Sequence, residues 1–198
     1  VKIGSSESMS KSKKNTIDPE RIIADYGADA VRLFILSDSP PEKDVQWSNE
    51  GIASSNKFVH KLWNLNLKIH DCTKSDYEND IDNLFEKTTN KFVHEVSNNL
   101  INFRYNKIIA NFHQIYSEIQ KLLEKKYSKK TILENYKKIL IVMNPVIPHF
   151  SNECLKMINE DLLLDWPKVN PDLLEDDLTN YVIQINGKKR GLINTSKN

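Results

Sequence analysis

The chain has 198 residues, a mass of 23.0 kDa and a formal net charge of +1 at pH 7. This length is enough for one sizeable domain or for one domain with appendages. Hydrophobic residues make up 39% of the sequence and charged residues 28%, which is typical of a globular protein, and no apolar run approaches the roughly 20 residues that cross a bilayer. The five glycines argue against a glycine-rich phosphate-binding crossover and favour helices.

A short polar segment rich in serine and lysine comes first. Residues 7–15 read Glu-Ser-Met-Ser-Lys-Ser-Lys-Lys-Asn, which places the ammonium groups of Lys11, Lys13 and Lys14 in one loop. This set suits the phosphates of a nucleotide, because a mobile ammonium can follow charge as it develops on a transferring phosphoryl oxygen. The alternative is a solvated basic loop without a ligand, since short runs of lysine and serine are common.

Two short helices are predicted after this loop. Asp18 is a typical N-cap with Pro19 at the first helical position, and Gly27 stands where a glycine ends a helix. A second helix is predicted over residues 28–36, before the prolines at 40 and 41. Its apolar residues are expected to be shielded from solvent: Val31, Leu33, Phe34, Ile35 and Leu36.

Longer helices are expected to form a bundle. Apolar residues recur at steps of three and four over residues 49–70, 82–99, 105–122 and 129–143. An asparagine-rich stretch at residues 98–102 predicts a kink or a break between the second and the third of these helices. The regular apolar stripes of the last two predict that they pack against each other as an antiparallel pair.

A proline-rich turn ends the bundle and starts one more short helix. Pro148 is expected in its first turn, and the helix should end near Ile158. His149 is a candidate ligand or base, but the role of a cap at the start of this helix is favoured.

The last part of the chain is predicted to be a linker and a hairpin. Trp166-Pro167 and the acidic residues around them form the linker. Residues 181–185 alternate as a strand does, Asn186-Gly187 is a strong turn signal, and residues 190–193 are the returning strand.

Charges and metal-binding side chains point to few specific sites. Residues 121–138 are rich in lysine, and residues 160–177 are rich in acids. The lysine-rich segment is either a solvated face or a contact for phosphate groups. Cys72 and Cys154 lie far apart, and the five histidines have no metal-ligand spacing, so we predict free thiols and no metal site.

The loop and the segments that follow it carry a family resemblance. Met9-Ser10-Lys11-Ser12 resembles the KMSKS signature of class I aminoacyl-tRNA synthetases, with Ser8 in place of the first lysine. Residues 15–19 and 26–32 are similar to the continuation shared by the valyl, isoleucyl and leucyl enzymes. Residues 39–48 resemble leucyl-tRNA synthetases of the bacterial type in particular, and the resemblance extends over nearly the whole chain.

The resemblance implies a mainly α fold in three parts. Residues 1–47 would hold the KMSKS loop and the end of a catalytic domain. Residues 48–165 would form the anticodon-binding helical bundle. Residues 166–198 would be a linker and the start of a truncated C-terminal α/β domain, which opens with the short β-hairpin.

The resemblance also implies an activity for a longer parent protein, the activation of leucine with ATP and Mg²⁺ and its transfer to leucine tRNA. Lys11 would stabilise charge on the ATP phosphates, within an ATP-binding loop of Met9, Ser10, Lys11 and Ser12. The chain contains no HIGH signature and starts without methionine, so we expect a piece of that protein, inactive alone and without a bound cofactor. We further expect a cytoplasmic monomer that does not contact membranes.

A second role implied by the resemblance is docking on tRNA, through backbone and shape contacts. The candidate contacts are Lys57, Lys61, Arg104, Lys107 and residues 188–190, and each could instead be a solvated charge. Trp63 and Phe103 are candidates for stacking on bases, although their helical spacing favours the core. The alternatives to the synthetase hypothesis are a stand-alone tRNA-binding module and a purely structural helical module.

Overall fold

The computed structural model describes residues 7–73, 84–125, 127–159, 165–174, 178–185 and 188–196, and contains helices followed by one hairpin. The mainly α fold expected from the sequence is confirmed. The helices are α1 (Pro19–Tyr26), α2 (Ala28–Asp38), α3 (Asn49–Thr73), α4 (Leu84–Ile101), α5 (Tyr105–Leu122), α6 (Lys129–Met143) and α7 (Pro148–Met157). A 3-10 turn (Pro171–Leu173) precedes the strands β1 (Leu178–Ile185) and β2 (Lys188–Ser196).

Helices α1 and α2 are separated by one glycine, as predicted. The Asp18 side chain accepts a hydrogen bond from the Glu20 N–H, and Gly27 adopts φ 82°, which favours glycine. Within α2, Leu33 and Phe34 are buried, but Ile35 is 47% exposed. The expectation that Ile35 is shielded was wrong, because Leu33 and Phe34 occupy the buried part of α2 and Ile35 lies outside it.

Helix α4 is a shared neighbour of α5 and α6. It packs against α5 on one side and α6 on the other, while α3 contacts α2, α5, α6 and α7. The prediction that α5 and α6 form an antiparallel pair was therefore wrong. A break at residues 102–104 folds α5 back along α4, so that α4 lies between the two helices whose stripes looked complementary.

The core of the bundle is apolar and almost completely shielded. Phe85, Phe112, Ile139 and Leu140 have no measurable exposure, and each such side chain stabilises the fold by roughly 1.5–3 kcal/mol. Cys154 is also in this core, and burial raises the pKa of its thiol to about 12. This thiol is therefore protonated at neutral pH and chemically inert. Neither Cys72 nor Cys154 forms a disulfide bond.

Helices α2 and α3 pack closely where the backbone of Gly51 meets the ring of Phe34. A Cβ atom added to Gly51 would lie 2.5 Å from the ring of Phe34, so only glycine permits this spacing. The Phe34 ring also packs edge-on against Trp47, with the centroids 5.2 Å apart. The side chain of Ser48 accepts a hydrogen bond from the Gly51 N–H and caps α3, as expected.

The segment after α7 is held on the surface of α4. Asn90 and Asn170 exchange two hydrogen bonds of 2.8 Å between side chain and backbone, and the Trp166 Nε1–H donates to the Ser97 hydroxyl at 2.9 Å. The segment expected to be a plain linker is therefore docked, at least over residues 165–174.

The two strands pair antiparallel, as predicted, and the Asn186-Gly187 turn lies outside the described residues. Their register changes between Ile183 and Gln184, which pair with Gly191 and Lys189, so that Arg190 is left over as a bulge. No helix in the described part of the chain is long and apolar enough to cross a membrane.

Candidate nucleotide loop and nucleic-acid interface

The signature loop, residues 7–18, contains a tight hydrogen-bonded turn. The Lys13 N–H approaches both the carbonyl and the hydroxyl oxygen of Ser10, at 3.2 and 3.3 Å. The hydroxyl groups of Ser10 and Ser12 are 3.2 Å apart, and the Lys14 N–H donates to the Lys11 carbonyl at 3.2 Å. The turn therefore holds Met9, Ser10, Lys11 and Ser12 in one compact polar segment.

Asn15 closes this loop from the other side. Its Oδ1 accepts from the Ser10 N–H at 2.8 Å, and its Nδ2 donates to the Ser8 carbonyl at 3.3 Å. Our reading of the sequence did not single out Asn15 for this role. Asparagine after a turn was the available signal, because its short amide readily bonds to nearby backbone groups.

The three lysines of the loop differ in their surroundings. Lys13 Nζ lies 2.9 Å from Glu7 Oε2 in an exposed ion pair. Lys11 and Lys14 are exposed, and the side-chain ammonium of neither makes a hydrogen bond or ion pair with another described residue. Lys14 adopts φ 54°, which turns the chain sharply. Two ammonium groups of the loop are thus available to an anion, and one is already engaged.

A buried carboxylate connects α2 to the start of α7. Asp29 is 6% exposed, and its oxygens accept from the N–H groups of His149 at 3.3 Å and Phe150 at 2.7 Å. The Nδ1 of His149 lies 3.0 Å from the same carboxylate. Asp29, which is distant in sequence, therefore caps the N-terminus of α7. The expectation that the His149 side chain caps this helix was wrong, because that side chain instead contacts the capping carboxylate of Asp29.

Arg32 makes the matching contact at the end of α6. Its Nε–H and Nη2–H donate to the carbonyls of Val146 at 2.8 Å and Pro145 at 2.7 Å. Asp29 and Arg32 are one turn apart on α2, with the anion at the N-terminal end of α7 and the cation beyond the C-terminal end of α6. Both charges have the sign that helix dipoles favour. We call these two side chains and their partners the α2 clasp.

Two of the candidate RNA contacts lie on α3 beside the middle of α5. Lys57 and Lys61 are exposed, and Phe58 between them stacks on His113 with ring centroids 3.7 Å apart. Burial of that ring face, and then the charge of Lys61, lower the pKa of His113. His113 is therefore neutral at pH 7, and the positive charge of this surface comes from the lysines.

The other two candidates lie at the turn between α4 and α5. Arg104 immediately precedes α5, Lys107 is in its first turn, and both are exposed. Lys107 and His113 are six residues apart on α5, about 9 Å along the axis, so the structure divides the four candidates into two groups. Arg190 is exposed on the bulge of β2.

The two candidate stacking residues have different environments. Trp63 is half-buried against the core, as expected. Phe103 is 63% exposed, so the expectation that it belongs to the core was wrong. It adopts φ 54°, a left-handed conformation that costs an L-residue about 1–2 kcal/mol.

The lysine-rich segment is partly neutralised along its own helices. Lys121 lies 3.1 Å from Glu118, and Lys130 lies 3.9 Å from Glu134, both exposed pairs one turn apart.

No group of three His, Cys, Asp or Glu side chains that could hold a metal ion occurs in the described ranges.

Sequence comparison assigns two parts of the chain to families. Residues 2–48 match class I tRNA synthetases (I, L, M and V). This matched segment contains the signature loop and the first two helices. Residues 82–198 match the anticodon-binding domain of tRNA ligase. The chain therefore belongs to the family of tRNA ligase anticodon-binding domains. The α2 clasp joins these two matched regions.

The relatives that align along the whole chain are leucine–tRNA ligases, which confirms the resemblance found in the sequence. The enzyme of Orientia tsutsugamushi (strain Boryong) is 40% identical over 98% of this chain and 23% of its own length. The enzyme of Wolbachia pipientis wMel is 38% identical over 100% of this chain and 24% of its own length. The chain thus spans about a quarter of the length of these relatives.

A solved structure has the same fold. It is the ternary complex of Agrobacterium radiobacter K84 agnB2 LeuRS with tRNA and LeuAMS, which superposes with a TM-score of 0.76 over 96% of this chain and 26% of that chain. The sequences are 21% identical, so this likeness is one of fold.

Proposed function

We propose that this chain is the part of a leucine–tRNA ligase that supplies the ATP-handling loop and a tRNA-docking bundle. The observation that carries the proposal is a tight turn in which the exposed Lys11 stands between Ser10 and Ser12, whose hydroxyl oxygens are 3.2 Å apart. The Lys11 ammonium has no ion pair among the described residues. Such a set of donors, with Glu7 already paired to Lys13, suits the phosphates of ATP.

In this proposal, Lys11 acts on charge during adenylate formation. Leucine carboxylate attacks the α-phosphorus of ATP, the bond to pyrophosphate breaks, and negative charge grows on the leaving phosphates. An ammonium held near those oxygens lowers the barrier, because it is placed before the charge develops. Ser10 and Ser12 shape the turn, and the Met9 side chain lies exposed beside it.

Magnesium would accompany the phosphates of ATP and neutralise part of their charge. Among the loop carboxylates, Glu7 is engaged with Lys13, so we assign no residue of this chain to the metal. Lys14 is a candidate to replace the positive charge that the signature loses at Ser8, because the Lys13 ammonium is paired with Glu7 and the Lys14 ammonium has no ion pair among the described residues.

The bundle would contact the phosphates of tRNA through Lys57 and Lys61 on α3 and through Arg104 and Lys107 at the α4–α5 turn. Contacts of this kind position a protein on RNA without reading its sequence. The proposal also includes domain boundaries after residues 47 and 165, a monomeric state and a cytoplasmic location. A purely structural bundle is the second candidate, favoured by the ion pairs that neutralise the lysine-rich segment.

The role of Lys11 is tested in a full-length leucine–tRNA ligase that carries this sequence. Lys11→Ala should raise the barrier to adenylate formation by about 2–4 kcal/mol and leave leucine binding unchanged. ATP–pyrophosphate exchange measures the first, and equilibrium binding of leucine measures the second. Lys13→Ala is the matched control, because Lys13 is engaged with Glu7, and a normal exchange rate in Lys11→Ala would remove Lys11 from the chemistry. The chain alone should give no exchange above a buffer blank.

The docking role is tested by titrating the 198-residue chain with leucine tRNA and one other tRNA at several salt concentrations. We expect binding in roughly the micromolar range or weaker, with the logarithm of affinity falling by slightly less than one unit per phosphate contact for each tenfold rise in salt. Lys61→Ala should weaken both complexes equally, whereas the control Lys156→Ala on α7 should not. Absence of any complex at low salt would favour the structural bundle.

A further inference from the structure

The end of α4 has a cap that normally requires glycine. The Phe103 N–H donates to the Leu100 carbonyl at 3.1 Å, and the Arg104 N–H donates to the Asn99 carbonyl at 2.8 Å. These two bonds are those of a Schellman motif, in which the residue at the position of Phe103 adopts a left-handed conformation. Phe103 does so with φ 54°, which is unusual for a bulky side chain.

Packing does not account for this phenylalanine. Its ring is 63% exposed, and the aromatic neighbour found for it is Tyr105, edge-on with the centroids 6.1 Å apart. Glycine would form the same backbone cap without strain. The strain of the phenylalanine at this position is not offset by burial of its ring. An outlier of this kind at an exposed position indicates a functional constraint.

The surroundings of the ring are apolar and cationic. Ile101, two residues earlier, is 75% exposed, and Arg104 and Lys107 follow within one turn. No acidic residue occurs between Glu95 and Glu118 in the sequence. We call Ile101, Phe103, Arg104 and Lys107 the α4–α5 tip.

We infer that the α4–α5 tip binds an unpaired nucleobase of a transfer RNA loop, with the base stacked on Phe103. The inference rests on the proposed docking of the bundle on tRNA. An exposed aromatic ring accepts any unstacked base by its face, and a neighbouring guanidinium and ammonium contact the phosphates on either side. Tyr105 holds the ring from one edge, which reduces the freedom lost on binding.

The charge of the tip favours RNA over a second copy of this chain. Two tips brought together would place the Arg104 and Lys107 cations of both copies at one interface, with no acid in the tip to pair with them. A polyanion with exposed bases satisfies the cations and the ring together.

The experiment compares variants of the 198-residue chain on two RNAs, leucine tRNA and a blunt RNA duplex without unpaired bases. Phe103→Leu removes the aromatic face but keeps an apolar side chain, and should weaken tRNA binding by about 5- to 150-fold. It should leave duplex binding unchanged. Ile35→Ala, which removes another exposed apolar side chain, is the control and should alter neither affinity.

A second variant keeps the proposal testable if Phe103→Leu is poorly folded. Phe103→Trp should bind tRNA as the original chain does, and tRNA should quench its additional fluorescence, measured as the difference from the unsubstituted chain. The duplex should cause no such quenching. Quenching by tRNA alone supports stacking on an unpaired base.

The remaining outcomes separate this inference from the proposed function. If Lys61→Ala weakens tRNA binding while Phe103→Leu does not, the inference about the α4–α5 tip is wrong and the docking role of the bundle stands. If Phe103→Leu weakens duplex and tRNA equally, stacking is wrong. A dimer of the original chain that Phe103→Leu dissolves would make the tip a protein interface. If the original chain binds neither RNA, both the inference and the docking role are wrong.

Discussion

The signature loop and the helical bundle are stabilised in opposite ways. The loop depends on short-range hydrogen bonds around Ser10 and Asn15, and the adjoining α1 contains no buried residue. The bundle depends on side chains such as Phe85 and Phe112 that are completely shielded. Exposed lysine and serine side chains therefore occupy a segment that buries little of its own surface, and the bundle supplies the packed body to which that segment is attached.

The α2 clasp is the polar connection between these two regions. Its charge-assisted hydrogen bonds join residues more than 110 positions apart in the chain, and Gly51 lets α2 lie close to α3. Three substitutions test this division of roles, in the bundle, in the clasp and in the loop.

The largest effect is expected in the bundle. Phe112→Ala removes a fully buried ring and should lower the free energy of unfolding by about 3–5 kcal/mol, because the transfer free energy is lost and a cavity remains. Urea denaturation followed by circular dichroism measures this change. Lys11→Ala in the same assay should leave stability within about 0.5 kcal/mol. A large loss from Lys11→Ala would contradict the separation of the two regions.

An intermediate effect is expected in the clasp. Asp29→Asn keeps the shape but removes the charge that caps α7 and contacts His149, and should lower stability by about 1–3 kcal/mol. Asp25→Asn, at an exposed carboxylate of α1 whose partner Arg21 is 3.9 Å away, is the control and should have almost no effect. Equal effects of the two variants in thermal denaturation would show that the buried carboxylate does not connect the regions.

The helices were predictable because each carries a regular apolar stripe, and the predicted bounds of α3 and α4 differ from those observed by at most three residues. The α2 clasp was not predictable. Asp29 and Arg32 lie in a helix whose local pattern contains no sign of partners at residues 145–150, and only the packing of α2 on α7 brings them together. The α5–α6 pairing failed for a related reason, since a stripe shows that a helix is buried but not against which neighbour.

The signature turn was predictable as a string of residue types, but its support was not. Lys11 and the two serines are recognisable from their order, whereas the bonds of Asn15 to both sides of the turn depend on how the chain closes. Phe103 was assigned to the core from its helical spacing. That prediction failed because Phe103 lies after the end of α4, where helical periodicity no longer indicates which side chains are buried.

The smallest effect on stability is expected in the loop. Asn15→Ala should change the free energy of unfolding by less than about 1 kcal/mol, because the bonds it removes are exposed. The same variant should increase the amide hydrogen exchange of Ser10, whose N–H loses its acceptor.

Ser12→Ala is the matched control for the loop. The Ser12 hydroxyl contacts only the Ser10 hydroxyl among the described atoms, so its removal should leave the Ser10 amide protected. Unchanged exchange of Ser10 in Asn15→Ala would mean that the backbone turn alone closes the loop.

The docking of residues 165–174 on α4 determines where the bundle can be cut from the hairpin. An expression boundary at Asp165 would remove Trp166 and Asn170, and would leave the amide of Asn90, a mostly buried side chain, without its two backbone partners. A boundary after Leu174 keeps these contacts. The shorter piece should be more prone to aggregation and proteolysis than the longer one, although both contain every helix of the bundle.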